Sequence, residues 1–334
     1  MVQEKVRTYD ETTYEKWMKG EGLPIHDSVA GMDHVDQLPR KPWARTGGTG
    51  AFIQMRSTVE AGRGLYVAEI PGGGALNPGR HLYEEIIYVF QGRGLTEVWQ
   101  EGGAKTTFEW GTGSLFSLPL NTWHRLVNGS REPVVFLAIT TAPEVMNALY
   151  DSEFVFNCDH VFLDRFGGQS GFYTPGKDWK KVGKWTTIWE TNFIPDARSE
   201  LLAPEEHKVA SGGLIGYRMG GGFGGHISQW PSGIYHKAHY HGPGAVLIGI
   251  TGKGYVPLWS HELGTRPYQD GHGDQVLEVE WGPGSIYTPP DGWYHQHMCI
   301  SKEPARHVAL YGGRVVTPDE DPILLVPKIG RAHV

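Results

Sequence analysis

Along most of the chain the apolar residues fall into short groups, each closed by Gly, Pro, Asn or Asp. Leu95-Thr96-Glu97-Val98-Trp99 alternates, which on a strand sends neighbouring side chains to opposite faces of a sheet. SLFSLP, PVVFLAI and HVALYGG continue the strand-like pattern. Only APEVMNALYD, at 142–151, has helical spacing. The pattern therefore predicts an all-β chain of short strands joined by tight turns.

The same pattern occurs twice. Gly73, His81, Gly92 and Gly94 are answered by Gly233, His241, Gly252 and Gly254 at an offset of 160, and Gly113, Pro119 and His124 by Gly284, Pro290 and His295 at an offset of 171. The second copy thus carries 11 extra residues, placed most simply in the polar stretch WSHELGTRPYQDGHGDQ as a lengthened hairpin loop. The expected organisation is an arm at 1–47, a first β unit at 48–140, a connector at 141–211, a second β unit at 212–314 and a tail at 315–334.

Composition narrows the class. With 47 Gly and 22 Pro among 334 residues, long helices and solenoids are excluded, and 12 Trp, 15 Tyr and 12 Phe exclude disorder over most of the chain. A net charge of −7, with Lys and Arg scattered singly, leaves no footprint for nucleic acid or anionic membrane. The N-terminal MVQEKVRTYDETTYEKW lacks the apolar core of a signal peptide, and no run is long enough to span a membrane. Two cysteines, Cys158 and Cys299, make no disulfide framework, so the expected compartment is cytoplasmic. The outlier is histidine, with 16 residues.

The histidines sit where the repeat is strongest. His239 and His241 are two apart, so a strand presents both imidazoles on one face, and His295 would join them from a second strand after a Pro-Pro-Asp-Gly turn. Three neutral imidazoles converging in an apolar barrel suit a first-row divalent ion with coordination positions left over. His297 shares the parity of His295 and is a candidate acid-base group. Trp293, Tyr294 and Trp259 are candidate walls for a flat substrate. His236 has the opposite parity and is expected at the periphery, and Cys299 is expected to be a small buried residue.

These blocks resemble the two signature motifs of the cupin superfamily. Gly233, His239, His241 and Gly252 fit the first motif with Ala245 at its Glu position; Gly284, Pro290, Gly292 and His295 fit the second with Cys299 at its Asn position. In the first copy, His81, Glu85 and Gly92 fit the first motif with Gly79 in place of its leading His, and Gly113, Pro119, His124 and Asn128 fit the second with Asn121 in place of its Gly. The resemblance implies a bicupin, two tandem jelly-roll β-barrels. With Ala245 the second copy also resembles the three-His iron site of gentisate- and salicylate-type ring-cleaving dioxygenases. It departs from them in lying in the C-terminal barrel and in having Tyr294 between Trp293 and His295.

The resemblance implies Fe(II) at His239, His241 and His295, with Mn, Ni or Zn as alternatives, and a homodimer or homotetramer. The expected substrates are dioxygen and a small chelating molecule such as a hydroxylated aromatic acid. His81, Glu85 and His124 form a second possible set, but Arg80, Glu84 and Arg125 are near enough in sequence to pair with Glu85 instead. The first copy is thus expected to be mainly structural. An oxygen-independent lyase, isomerase or decarboxylase that uses the ion as a Lewis acid is the second enzymatic reading; a non-enzymatic small-molecule-binding bicupin is the third.

Overall fold

The computed structural model describes residues 11–58, 62–176, 179–182, 186–200, 213–221, 223–240 and 245–312. The expected tail at 315–334 and the expected ligand His241 lie outside these residues.

The chain forms two β-barrels, each a large sheet facing a small one. The first large sheet runs Ile25–Ser28, Thr49–Met55, Gly64–Ile70, Val134–Thr140, Glu85–Gln91, Leu115–Leu118, Phe193–Ile194; its small sheet runs Trp123–Val127, Arg93–Trp99, Thr106–Gly111. The second large sheet runs Trp179–Val182, Thr186–Glu190, Gly213–Met219, Phe223–Trp230, Ala305–Gly312, Val246–Thr251, Ile286–Tyr287, Gly31–Met32. Opposite it, Gly254–Ser260 pairs with Leu277–Trp281, Trp293–His295 and Met298–Cys299. Strands distant in sequence lie side by side in each barrel, as in a jelly roll.

The two sequence offsets are also structural registers. Ala138 pairs with Ile87 in the first barrel, and Ala309 with Leu247 in the second. The isolated bridge Gly79–His124 is matched by His239–His295. Asn121 and its counterpart Gly292 both have positive φ, +48° and +71°, and Asn is among the few side chains that accept the left-handed region. Asn121 also donates through Nδ2 to the carbonyls of Cys158 and His160. The extra residues of the second copy form two short 3-10 turns, His261–Leu263 and Gly273–Gln275, within the lengthened hairpin.

Three cores explain the sequence pattern. Ile87, Val89, Phe116 and Phe136 fill the first barrel, while Leu247, Val256, Leu258 and Trp281 fill the second. Between the barrels the outer faces of the large sheets merge into one cluster that includes Ile86, Leu137, Tyr217, Ile248 and Val308. Strand Val134–Thr140 is buried at all of its positions because one face meets the barrel interior and the other meets the neighbouring barrel. Each fully buried Ile, Leu or Phe at such positions stabilises the pair by roughly 1.5–3 kcal/mol.

The arm does more than precede the first barrel. Ile25–Ser28 pairs in parallel with Thr49–Met55 of the first barrel, Gly31–Met32 pairs with Ile286–Tyr287 of the second, and Val35 is buried in the cluster between them. The arm opens with a helix, Thr13–Gly20, whose Thr12 and Glu15 form a reciprocal capping box. In the connector, the helix expected around 142–151 is present as Ala142–Leu149, followed by Ser152–Asn157. Phe193–Ile194 then returns to pair with the first barrel.

Candidate metal centres and the cavities they face

In the first barrel, the isolated bridge to Gly79 fixes the approach of His124, while Glu85 opens an interior strand and His81 lies in the loop before it. One ligand atom from each of His81, Glu85 and His124 lies within 4.8 Å of the others. His81 donates through Nδ1 to the Tyr83 carbonyl at 2.8 Å, and His124 through Nδ1 to the Thr122 carbonyl at 3.0 Å. Those bonds leave the lone pair on each Nε2, the tautomer a metal ligand needs. His81 is further held by stacking on Tyr83, with centroids 3.7 Å apart.

Glu85 is anchored from the opposite side, where the Tyr66 hydroxyl donates to its Oε1. Its Oε2 lies 2.7 Å from His81 Nε2, yet that nitrogen is buried without an aligned hydrogen bond. A carboxylate oxygen this close to an imidazole nitrogen calls for positive charge at that point, which a proton on His81 or a metal ion would supply. Burial pushes Glu85 upward, but when His81 carries a proton its contact and charge, with His124 and Tyr66, hold the carboxyl below the ordinary carboxylate value. Burial, with the charge of His81, lowers His124 to about 4, so its imidazole is neutral at physiological pH. The residues present therefore fit a divalent ion.

The alternative partners of Glu85 are engaged elsewhere. Arg125 pairs with Glu97 at 2.8 Å, Glu84 lies 3.7 Å from Arg165, and Arg80 lies over the Trp123 ring. The ligand set opens on a cavity of about 580 Å³ lined by both barrel strands and the arm, including Trp43, Tyr66, Arg80, Trp123 and Phe156.

In the second barrel, the ligand atoms of His239, His295 and His297 also lie within 4.8 Å of one another. His239 and His295 donate through Nδ1 to the carbonyls of Lys237 and Trp293. Tyr287, a buried hydroxyl, touches Nδ1 of His297 at 3.1 Å and Nδ1 of His307 at 2.6 Å, donating to one and accepting from the other. Burial, reinforced by the neighbouring imidazoles, lowers the pKa of His297 well below its ordinary value. His297 thus stands among the converging imidazoles, where the sequence suggested only an acid-base group. The cavity here is about 70 Å³ and is lined by His226, His236, His239, His295 and His297 among others.

Several expected positions need correction. His236 is not peripheral: it lines this cavity, its ring 4.5 Å from that of His239. The parity argument fails because the described chain around it makes only isolated bridges. Trp259 and Tyr294 do not wall the cavity. They are register partners on the opposite face and pack with Ala238 in a separate cluster, and Trp259 donates through Nε1 to the Gly264 carbonyl. Trp293 packs against the second-barrel core and is not among the cavity-lining residues. Cys299 is buried and bonds to the carbonyls of Ser301 and Glu303, where its counterpart Asn128 bonds to the Glu132 carbonyl.

Sequence reasoning missed Tyr66, His307 and Tyr287. The signal for the last two was present, since the 171 offset maps them onto the interior residues Phe136 and Phe116.

Comparison with known proteins agrees with the architecture. Residues 66–140 match the Cupin domain family. No curated protein matches the chain. Among solved structures, an arginine-to-alanine mutant of Bacillus subtilis oxalate decarboxylase is 12% identical, with a TM-score of 0.56, covering 87% of this chain and 78% of that one. The structure of the Bacillus subtilis oxalate decarboxylase at pH 4.6 is 13% identical, with a TM-score of 0.55 over 86% and 76% of the two chains. Likeness at this identity establishes the fold. Among the described residues no helix is long and apolar enough to cross a membrane.

Proposed function

We propose that this bicupin is a metal-dependent enzyme whose reacting site is the first barrel, where it carries out oxygen-independent lyase, isomerase or decarboxylase chemistry on a small carboxylate. The observation that carries this reading is the convergence of His81, Glu85 and His124 at the wall of the 580 Å³ cavity. A two-histidine, one-carboxylate set suits Fe(II), Mn(II) or Zn(II). The fold shared with oxalate decarboxylase supports the same reaction class. The missing leading histidine at Gly79 argued for a mainly structural first barrel, but the convergence of His81, Glu85 and His124, with both imidazoles held by backbone carbonyls, favours a working centre.

When bound, the ion would supply Lewis-acid polarisation of a substrate oxygen and stabilise negative charge that develops next to it. The chain supplies the rest. Burial is the main cause that raises the Tyr66 pKa well above its ordinary value, so its hydroxyl stays protonated and keeps donating to Glu85, which holds that carboxylate in one orientation. The neutral His124 and the backbone-held His81 keep their lone pairs on the cavity side. Trp43, Tyr66, Trp123, Phe136 and Phe156 supply aromatic surface to the cavity lining.

The test is anaerobic turnover. Mn- or Fe-loaded protein, incubated without oxygen against a panel of small carboxylates that includes oxalate, should convert at least one, and His124→Ala should abolish the conversion. A second reading, an Fe(II) dioxygenase at the second barrel, is favoured by the carboxylate-free set His239, His295 and His297. Turnover that requires oxygen, survives His124→Ala and is lost in His295→Ala would replace the first reading with the second.

A further inference from the structure

Three arginines line the first cavity, and two of them are neutralised within the chain. Arg45 chelates Glu21, with its Nε 2.8 Å from Oε1, and lies 4.0 Å over Phe156. Arg125 is tied to Glu97. Arg80 differs, because among the described residues it pairs with no carboxylate. Its guanidinium lies 4.9 Å from the centroid of Trp123. Trp123 is in turn stacked on Trp99 at 6.2 Å and 11°, and its indole N–H donates to Glu101 at 2.7 Å. The guanidinium is thus braced through its face while its planar fork of N–H donors has no internal acceptor. A planar fork of this kind recognises a carboxylate in two-point fashion.

The room beside it is equally specific. A Cβ placed on Gly79 would meet nothing within 4 Å, and the residue at the same register position in the second barrel is His239. The first barrel has given up an imidazole there and leaves open space. Aromatic rings border that space: Trp43 meets Tyr66 edge-on at 5.0 Å, and Tyr66 meets Phe136 at 6.3 Å. A volume of about 580 Å³ falls within the roughly 300–1,000 Å³ of sites that enclose organic ligands, and a two-carbon diacid would leave most of these rings against water.

We infer that the first cavity takes a monocarboxylate with a flat, unsaturated body, its carboxylate held by Arg80 and its body lying among the aromatic rings in the space that Gly79 leaves open. This rests on the reading of the first barrel as the reacting site, and names its substrate class. Arg80 is then the specificity-determining cation. Gly79 trades one ligand for substrate room.

Equilibrium titration of benzoate, benzamide and oxalate into the full-length protein tests the inference, with Mn-loaded and chelator-stripped samples run in parallel and metal content measured on each. Benzoate should bind more tightly than oxalate. Benzamide, which lacks the charge, and Arg80→Gln, which lacks the fork, should each weaken binding by roughly tenfold to a hundredfold, the range for one charge-assisted pair. Arg80→Lys keeps the charge without the fork and should fall between. Gly79→Leu fills the space and should weaken benzoate at equal metal loading, the metal content being measured on the variant because Gly79 is bridged to the ligand His124.

Oxalate outcompeting benzoate, or Arg80→Gln and Arg80→Lys binding benzoate as the parent does, would overturn the inference. Failure of the underlying metal reading has a different signature. In that case His124→Ala would leave metal content unchanged, while Arg80-dependent benzoate binding persisted in stripped protein and still supported the inference.

Discussion

The two barrels share a backbone register and differ in what they point inward. In the first, Glu85 and the Tyr66 hydroxyl that holds it form a unit; at the same register positions the second has Ala245 and His226, so the carboxylate and its donor are absent together. Leu76, Leu126 and Phe136 of the first barrel become His236, His297 and His307 of the second, and the apolar Phe116 becomes the hydroxyl-bearing Tyr287. Gly79 becomes His239. The first barrel therefore sets a carboxylate and two imidazoles against a cavity of about 580 Å³, and the second sets imidazoles alone against about 70 Å³. One scaffold supports both solutions because the bridges that aim the ligands are backbone bonds, which survive side-chain replacement.

The largest expected effect breaks the comparison outright. Removing an imidazole ligand in one barrel should cost that barrel its ion without affecting the other. His124→Ala and His295→Ala should each lower affinity at their own site by more than the ~10–100-fold typical of residues behind a ligand, measured by competition with a chelating dye. If either variant emptied both sites, the barrels would not be independent centres.

Next comes Tyr66→Phe. It removes the hydroxyl donor to Glu85 while keeping the ring, and should weaken metal binding in the first barrel by ~10–100-fold with the second barrel unchanged. Equal affinity in the variant and the parent would mean that the Tyr66–Glu85 contact does not orient the ligand.

A smaller contrast lies at the hairpin that closes each barrel. Asn128 donates to the carbonyls of Ile70, Pro71 and Glu132, whereas Cys299 makes longer sulfur contacts of 3.6 and 3.7 Å to Glu303 and Ser301. Asn128→Ala should destabilise by about 1–3 kcal/mol, because buried carbonyls lose their donor. Cys299→Ala should cost less, and the ordering of the two urea midpoints checks this. A larger loss at Cys299 would show that the second barrel leans on this tie more than its weak geometry suggests.

Much of this comparison was legible in the chain itself. Offsets of 160 and 171, found from a few Gly, Pro and His residues, are the same offsets that relate strand registers, because the motif glycines and prolines sit at turns whose backbone conformation they dictate. His81, Glu85 and His124 were legible as a set only through the motif they resemble, and Gly79 at the missing His position made a structural first barrel the expectation. What was not legible depended on long-range pairing. Nothing local in Ile25–Ser28 or Gly31–Met32 says that the arm joins one strand to each barrel, or that it carries Trp43 and Arg45 to the mouth of the first cavity.

Parity reasoning worked on regular strands and failed off them. It put His297 on the face of His295, and both line the second cavity, but it misplaced His236, which lies where the described chain makes only isolated bridges. Trp259 and Tyr294 show the converse. Composition made them attractive, while their strand register turns them away from the cavity. The helix Thr13–Gly20 was announced by Thr12 and Glu15, a capping pair that an eye trained on strands passes over.

The central claim is that the first barrel is a metal centre in its own right. Metal stoichiometry of the full-length protein, measured by elemental analysis on the parent and on His124→Ala, tests it most directly. The account predicts one ion per barrel in the parent and the loss of one ion per chain in His124→Ala, with the second barrel still loaded. Equal metal content in the two proteins would contradict it.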